Sequence, residues 1–422
     1  MEDELVTIAR FDRAWKAADA ADALRSEGIE TFSPERLGEY NLFGLWGLGE
    51  LDEGIRLQVR EADVPRAAEI LKQTDAAQDL EPWLAPDQEQ PEEAQETPFL
   101  ARQDQLEAKI AEWCDMAGSM LRVDFITAYS GHKVYALTLS DFSVGPEGKA
   151  AFYFAQPHAH EPGATAGMMD VIEQLVTGYD LFGEPTSLDL DEVLAETILT
   201  FNPIGNPAGR ERAPVLYWDG SQFTNEQFWC WMRGEDPEHP GQMWKRLDLW
   251  DTREERAPNP VGIVYEPIDE FRYVEPNRSH LSSYFKLFFE MDALHHYRGW
   301  LDLHQTEFVG SPHDCMVILP LAGLADDRIA MKNIAWAQDI VNAWQAAGFR
   351  PQPRPEPLGY TDVQAEYFRR AWGALHQRMS CISTEVKNNA PDATPEFQLR
   401  AQSIAIVRTI ERAVALGSTP DV

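Results

Sequence analysis

"YFAQPHAHEPGATAGMMDVIEQL", Tyr153 to Leu175, decides the fold. Its first residues close an apolar run, Ala150 to Ala155, with the length and composition of a buried strand. From Gly163 the period changes. Ala164, Met168, Val171, Ile172 and Leu175 fall at i, i+4, i+7, i+8 and i+11, which is helical spacing. Between strand and helix stand His158, His160 and Glu161. Three groups able to hold a metal ion therefore occupy the C-terminal lip of a strand. In α/β sheets that lip is where ligands collect.

Two further apolar strands carry polar groups at their ends. "GWLDLH" closes on His304, and "SCISTEV" carries Glu385. Side chains placed there are partly shielded from water at the mouth of the sheet. Two histidines and one glutamate can hold zinc and leave a fourth position open for water. A free carboxylate beside that water can take its proton. The parts predict metal-assisted hydrolysis of an acyl bond. His160 stays open as an alternative ligand, because HxH places both imidazoles on one side of a strand.

Working outward, the strands "KVYALTLS", "AAFYFA", "TILTF", "GWLDLH", "CMVILPL" and "SCISTEV" alternate with helical patterns. The helices are expected near Gln103–Ser119, Gly163–Thr177, Ser282–His295, Met331–Ala347, Val363–Gln377 and Thr394–Ala415. This alternation predicts a mixed α/β sheet covered by helices on both faces. Residues 206–280 are rich in Trp, Pro and charge without clear period, and read as functional loops or a lid.

Upstream, residues 74–97 hold three prolines and many acidic residues but no Lys or Arg, and read as an extended linker. The expected organisation is a small unit at 1–73, a linker at 74–103 and a catalytic unit at 104–418. The small unit reads as a βαββα sandwich: strand "ELVTIARF", a helix between Asp12 and Gly28, "IETFSP", strand "GIRLQVR", and a helix opening near Pro65.

With 422 residues, two domains are the prior. A net charge of −34 argues against nucleic acid and anionic membrane surfaces as partners. No apolar run approaches the roughly 20 residues of a membrane helix. The opening "MEDELVTIARFD" lacks the layout of a signal peptide. Cys114, Cys230, Cys315 and Cys381 are scattered without a CxxC pair. A cytoplasmic chain with reduced, mostly buried thiols is expected.

Taken together, the motifs over about 120–390 resemble the M14 zinc carboxypeptidase family. His158-Ala159-His160-Glu161-Pro162 is similar to its HxxE at a strand-to-helix turn. "SGHKVYALTLS" resembles its upstream strand, and "TFNPIGNPAGRER" its "NPDG" loop with arginines beyond. "VEPNRSHLSSYF", "GWLDLHQTEF" and "CISTEVKNN" are similar to its third-ligand helix, third-ligand strand and glutamate strand. The resemblance implies one zinc ion per chain, held by His158, Glu161 and His304, with Glu385 as general base. It implies an arginine at the oxyanion, Arg212 first and Arg210 second by spacing. The family's "DxNRNF" setting for the substrate's terminal carboxylate has no clean match here. Arg210, Arg233 and Arg278 are the substrate-binding candidates. The implied substrate is a peptide. An N-acyl amino acid is the alternative, as in the succinylglutamate desuccinylase and aspartoacylase enzymes. A second class, a binding or regulatory protein on an inactive hydrolase fold, is disfavoured by the presence of all four site residues. The small unit resembles the DUF2007 domain of bacterial signal-transducing proteins, through "LVTIARF", "AADALRSEGIE" and "GIRLQVREADVPRAAEIL". That resemblance implies a ferredoxin-like fold with a protein or small-molecule partner.

Overall fold

Period-two patterning near the N-terminus folds as a three-stranded antiparallel sheet. β1 (Leu5–Phe11), α1 (Ala14–Ser26), β2 (Thr31–Phe32), β3 (Ile55–Arg60) and α2 (Val64–Leu71) follow in the expected order. The strands lie β1-β3-β2, the arrangement found in ferredoxin-like sandwiches. Ile8, Phe11, Leu57 and Val59 bury against Ala17, Leu24 and Leu71 of the two helices. Gly28 ends α1 at φ 80°, where a Cβ would be strained, and Pro65 opens α2. This computed structural model describes residues 5–11, 14–33, 55–72, 74, 97–239, 241–245, 248–254, 256–258, 261–308, 311–357 and 359–417. The expected cap at Asp12 and residues 75–96 of the expected linker lie outside them.

The chain divides into Met1–Glu96 and Thr97–Val422. Phe99 and Ala101, assigned to the linker from sequence, are buried in the second unit beside Ala166 and Leu399. That unit opens with α3 (Gln103–Ala117), β4 (Leu121–Thr127), β5 (Lys133–Leu139), β6 (Ala150–Ala155), α4 (Pro162–Thr177), α5 (Leu190–Glu196) and β7 (Thr197–Asn202). After an intervening region come α8 (Ser283–His295), β11 (Gly299–Thr306), β12 (Cys315–Leu319), α9 (Asp327–Ala346), β13 (Glu356–Pro357), α10 (Asp362–His376), β14 (Ser380–Lys387) and α11 (Pro395–Gly417). The region 206–280, expected to be loops, holds α6 (Pro207–Glu211), α7 (Asn225–Arg233) and a small sheet of β8 (Trp250–Asp251), β9 (Glu266–Pro267) and β10 (Arg272–Val274). Aromatic packing replaces periodicity there: Trp250 stacks on Tyr273 with centroids 4.6 Å apart.

The main sheet has eight strands in the order β13-β12-β14-β11-β6-β7-β5-β4. β14, β11, β6 and β7 run parallel at its centre; β4 and β5 pair antiparallel with their neighbours, and β12 is antiparallel to β14 but parallel to β13. β6, β7 and β11 are almost wholly buried because helices cover both faces. On one face Leu301, Leu303, Ile382 and Val386 meet Trp336 of α9 and Ile406 of α11. On the other, Tyr153, Trp300 and Cys381 meet Phe288 of α8 and Trp372 of α10. Trp300 stacks on Phe288 at 4.0 Å, and truncating so buried an aromatic costs about 3–5 kcal/mol. β4 was not anticipated. It sits at the sheet edge, half exposed, with a correspondingly weak apolar signal.

All four cysteines are free. Cys315 and Cys381 are buried, Cys230 is partly buried and Cys114 is exposed, so only half match the expected burial. Among the described residues no helix is long and apolar enough to cross a membrane.

Candidate metal centre and active site

β11 lies between β6 and β14, and its register places His304 directly beside Glu385. On its other side Asp302 pairs with Ala155, the last residue of β6. The chain leaving β6 therefore delivers His158 to Glu161 to the lip where His304 and Glu385 emerge. Pro162 starts α4, and the next amide, Gly163 N–H, donates to Gln305 Oε1 at 2.6 Å. A Cβ on Gly163 would lie 2.7 Å from the Gln305 side chain, so glycine permits this close approach.

Three buried ligand atoms converge. His158 Nδ1 is 3.0 Å from Glu161 Oε1. His304 Nδ1 is 3.2 Å from Glu161 Oε2 and 3.2 Å from His158 Nδ1. Zinc bonded at about 2.0–2.1 Å in tetrahedral geometry sets ligand–ligand edges of about 3.3 Å. Two imidazole nitrogens facing each other at that range accommodate at most one proton between them. A carboxylate beside them completes a donor set that fits a divalent cation.

The outer nitrogens are held as well. His304 Nε2 meets Asp302 Oδ2 at 2.8 Å, and Asp302 also accepts from the Tyr284 hydroxyl. His158 Nε2 faces Asn277 Oδ1 at 3.3 Å and Glu275 Oε1 at 3.5 Å. Such partners fix ring orientation and raise ligand basicity. Burial opposes a charge on His304, but Asp302 and Glu161 outweigh it and hold its pKa well above the ordinary value. Burial likewise opposes ionisation of Glu161, yet His158 and His304 hold its pKa well below normal. A cation bound among them competes with these protons. His160 stacks on His158 at 5.3 Å, and its Nδ1 has no partner among the described residues. It is not one of the converging three.

Glu385 is partly buried, its Oε2 fully so, and desolvation pushes its pKa up to about 8, with His304 opposing the rise and Glu161 adding to it. Its Oε2 has no hydrogen-bond partner among the described residues. The groups open into a cavity of about 210 Å³ whose walls include Arg233, Arg278, Phe368, Trp372 and His376.

The four arginines separate by environment. Arg212, the first choice from sequence for the oxyanion, does not line the cavity. Its guanidinium is committed to the carbonyls of Ala208, Val261, Gly262 and Tyr265 at 2.7–3.3 Å. Arg210 is buried, with Nε and Nη1 unpartnered among the described residues. Burial pushes its pKa down to about 9, against the pull of Glu161. Arg233 is paired with Glu275 at 3.1 Å. Arg278 lies over the Phe368 ring at 4.1 Å and donates to the Tyr360 hydroxyl at 3.2 Å, leaving Nη1 buried and without a partner among the described residues. Asp302, Glu275 and His376 were missed from sequence. Asp302 had a legible signal, since two residues before His304 on a strand is the same face.

No protein-family profile matches the chain, and no curated protein matches it; the DUF2007 resemblance of the small unit finds no support there. Solved structures do match. Carboxypeptidase A from Helicoverpa armigera aligns over 98% of this chain and 98% of its own, at 11% identity and TM-score 0.51. A metallo-carboxypeptidase from Burkholderia cenocepacia aligns over 73% and 68%, at 12% identity and TM-score 0.45. One from Pseudomonas aeruginosa aligns over 74% and 69%, at 13% identity and TM-score 0.43. The mixed eight-stranded sheet with its helices is thus a carboxypeptidase-type fold, and at this identity the insect enzyme's likeness is one of fold alone.

Proposed function

We propose that the large unit is a zinc-dependent hydrolase of the metallocarboxypeptidase kind, cleaving the amide bond next to a free carboxylate. The observation that carries the reading is the convergence of His158, Glu161 and His304 at 3.0–3.2 Å beside an unpartnered Glu385. Zinc held by those three residues would polarise the scissile carbonyl and lower the pKa of a water molecule. The charge of a bound zinc ion would bring the raised pKa of Glu385 back down, so that the ionised carboxylate takes the proton of that water on Oε2 and passes it to the leaving amine. Its Oε2 is buried, and the adjoining β11–β14 register holds it beside His304. Asp302 keeps the His304 ring oriented with Nδ1 inward.

Arg278 binds the substrate carboxylate through its unpartnered Nη1, pre-positioned by its stacking on Phe368. Glu275 holds Arg233 in place beside it. Arg210, although like Arg212 it does not line the cavity, adds positive potential felt by the ligand carboxylate Glu161 and is the better candidate to favour negative charge developing nearby. A free carboxylate is present both in a peptide C-terminus and in an N-acyl amino acid, so the same residues serve either substrate.

The test is turnover of N-benzoyl-glycyl dipeptides by the zinc-loaded protein, with an N-terminally extended peptide series and a set of N-acyl amino acids alongside. Release of the C-terminal residue supports the peptidase reading. Cleavage of N-acyl amino acids alone would redirect it, and zinc-replete protein inactive on every member would remove it.

A further inference from the structure

We propose that His376 determines specificity: it receives the uncharged hydrogen-bonding tip of the substrate's terminal side chain, the tyrosine hydroxyl being the simplest fit. This rests on the reading of the cavity as a site for a carboxyl-terminal residue.

Phe368, Trp372 and His376 fall at i, i+4 and i+8 on α10, so one helix face presents all three to the cavity. The stripe runs about 12 Å along the helix. Arg278 stacks at its Phe368 end, and His376 closes the other, its ring stacked on Trp372 at 5.8 Å. A residue whose carboxylate meets Arg278 would lay its side chain along Phe368 and Trp372 toward His376. The wall is apolar for most of that length and ends in a polar group.

That polar group has no structural employment. His376 is only 5% exposed, and its Nδ1 is buried without a hydrogen-bond partner among the described residues. Buried polar atoms in native proteins are nearly always paired, so an unpaired imidazole on a cavity wall points to a ligand. Burial pushes the His376 pKa down to about 4, and Asp302, the carboxylate that acts on it, does not reverse this. At neutral pH the ring is uncharged, with one donor and one acceptor. It therefore suits a hydroxyl rather than a carboxylate. An apolar tip would leave the buried Nδ1 unpaired.

The experiment compares N-benzoyl-glycyl-tyrosine with N-benzoyl-glycyl-phenylalanine, two substrates differing in one hydroxyl. The zinc-loaded full chain is expected to favour the tyrosine substrate by about 10- to 100-fold in kcat/KM. His376→Phe should bring the two within about twofold, by slowing the tyrosine substrate alone. His376→Gln, which keeps a donor and an acceptor, should retain part of the preference, with zinc content and melting temperature checked for both variants. Equal turnover of the two substrates by the unaltered protein would overturn the assignment while leaving the hydrolase reading intact. A preference that survives His376→Phe in folded, zinc-replete protein overturns it as well. Inactivity on both dipeptides removes the underlying reading, and this assignment with it.

Discussion

Two regions of the large unit bury polar side chains, and they treat them in opposite ways. Under α11 every glutamine is occupied. Gln398 donates to the carbonyls of Trp218 and Ala393 and accepts from Gln305. Gln402 donates to His304 O at 2.7 Å and accepts from Thr384 Oγ1 at 3.1 Å. Ser403 donates to Asp170. Around the converging ligands and the cavity the reverse holds. Glu385 Oε2, His160 Nδ1, Arg278 Nη1, His376 Nδ1 and two nitrogens of Arg210 are buried without partners among the described residues. A satisfied network fixes one packing, whereas unsatisfied buried groups raise the energy of the fold. Those among them that lie around the converging ligands are where stability has been exchanged for binding and chemistry.

The sharpest way to break this comparison is Glu385→Gln. The variant keeps the shape and removes the proton acceptor. Turnover should fall by about 10²–10⁴ while zinc content holds. Melting temperature should stay level or rise, because a buried carboxylate oxygen without a partner is gone. A stability loss with activity per folded molecule retained would make Glu385 a structural residue like the glutamines.

Next comes a buried acid outside the lip. Glu266 accepts from the Ser283 amide at 2.9 Å, but burial wins and pushes its pKa from the ordinary 4.5 up to about 7. A carboxyl whose folded pKa is raised contributes stability that is complete below the unfolded value. That stability is lost as pH rises through the folded value. Stability of the large unit should therefore fall between about pH 4.5 and 7, by at most about 3 kcal/mol. Denaturant melts across that range, repeated on Glu266→Gln, should show this component vanish from the variant.

A smaller effect is expected from Asp302→Asn. It leaves His304 in place but removes the carboxylate that orients it, which should weaken zinc binding about 10- to 100-fold in a chelator competition. Unchanged affinity would show that β11 alone orients the ring.

Gln402→Leu completes the series from the satisfied side. It strands the His304 carbonyl and the Thr384 hydroxyl, and should cost about 1–3 kcal/mol in chemical denaturation. Turnover per folded molecule should stay within a few-fold. A collapse of catalysis at full stability would mean that the α11 network belongs to the site.

How much of this was legible in the sequence follows from the same division. His158, Glu161, His304 and Glu385 were readable because each lies within an apolar strand or in the turn just after one, a local signal that pairing cannot hide. The central strands and their covering helices were readable from period alone. β4 was not, because an edge strand needs only one apolar face. The arginines required tertiary information. Arg210 and Arg212 are two residues apart in and beside a five-residue helix, a spacing that sends one inward toward Glu161 and the other onto backbone carbonyls. Spacing from "NPIG" could not choose between them. His376 lay at the end of an ordinary amphipathic helix. Only the missing partner of its ring Nδ1, visible once β14 and α10 are in place, set it apart.

The central claim is that His158, Glu161 and His304 form a zinc site, and elemental analysis of the purified chain tests it most directly. One zinc per chain is predicted, reduced to a small fraction in a folded His304→Ala protein that keeps only two ligands. Stoichiometric zinc in His304→Ala, or unaltered protein that takes up no zinc after reconstitution, would contradict the assignment.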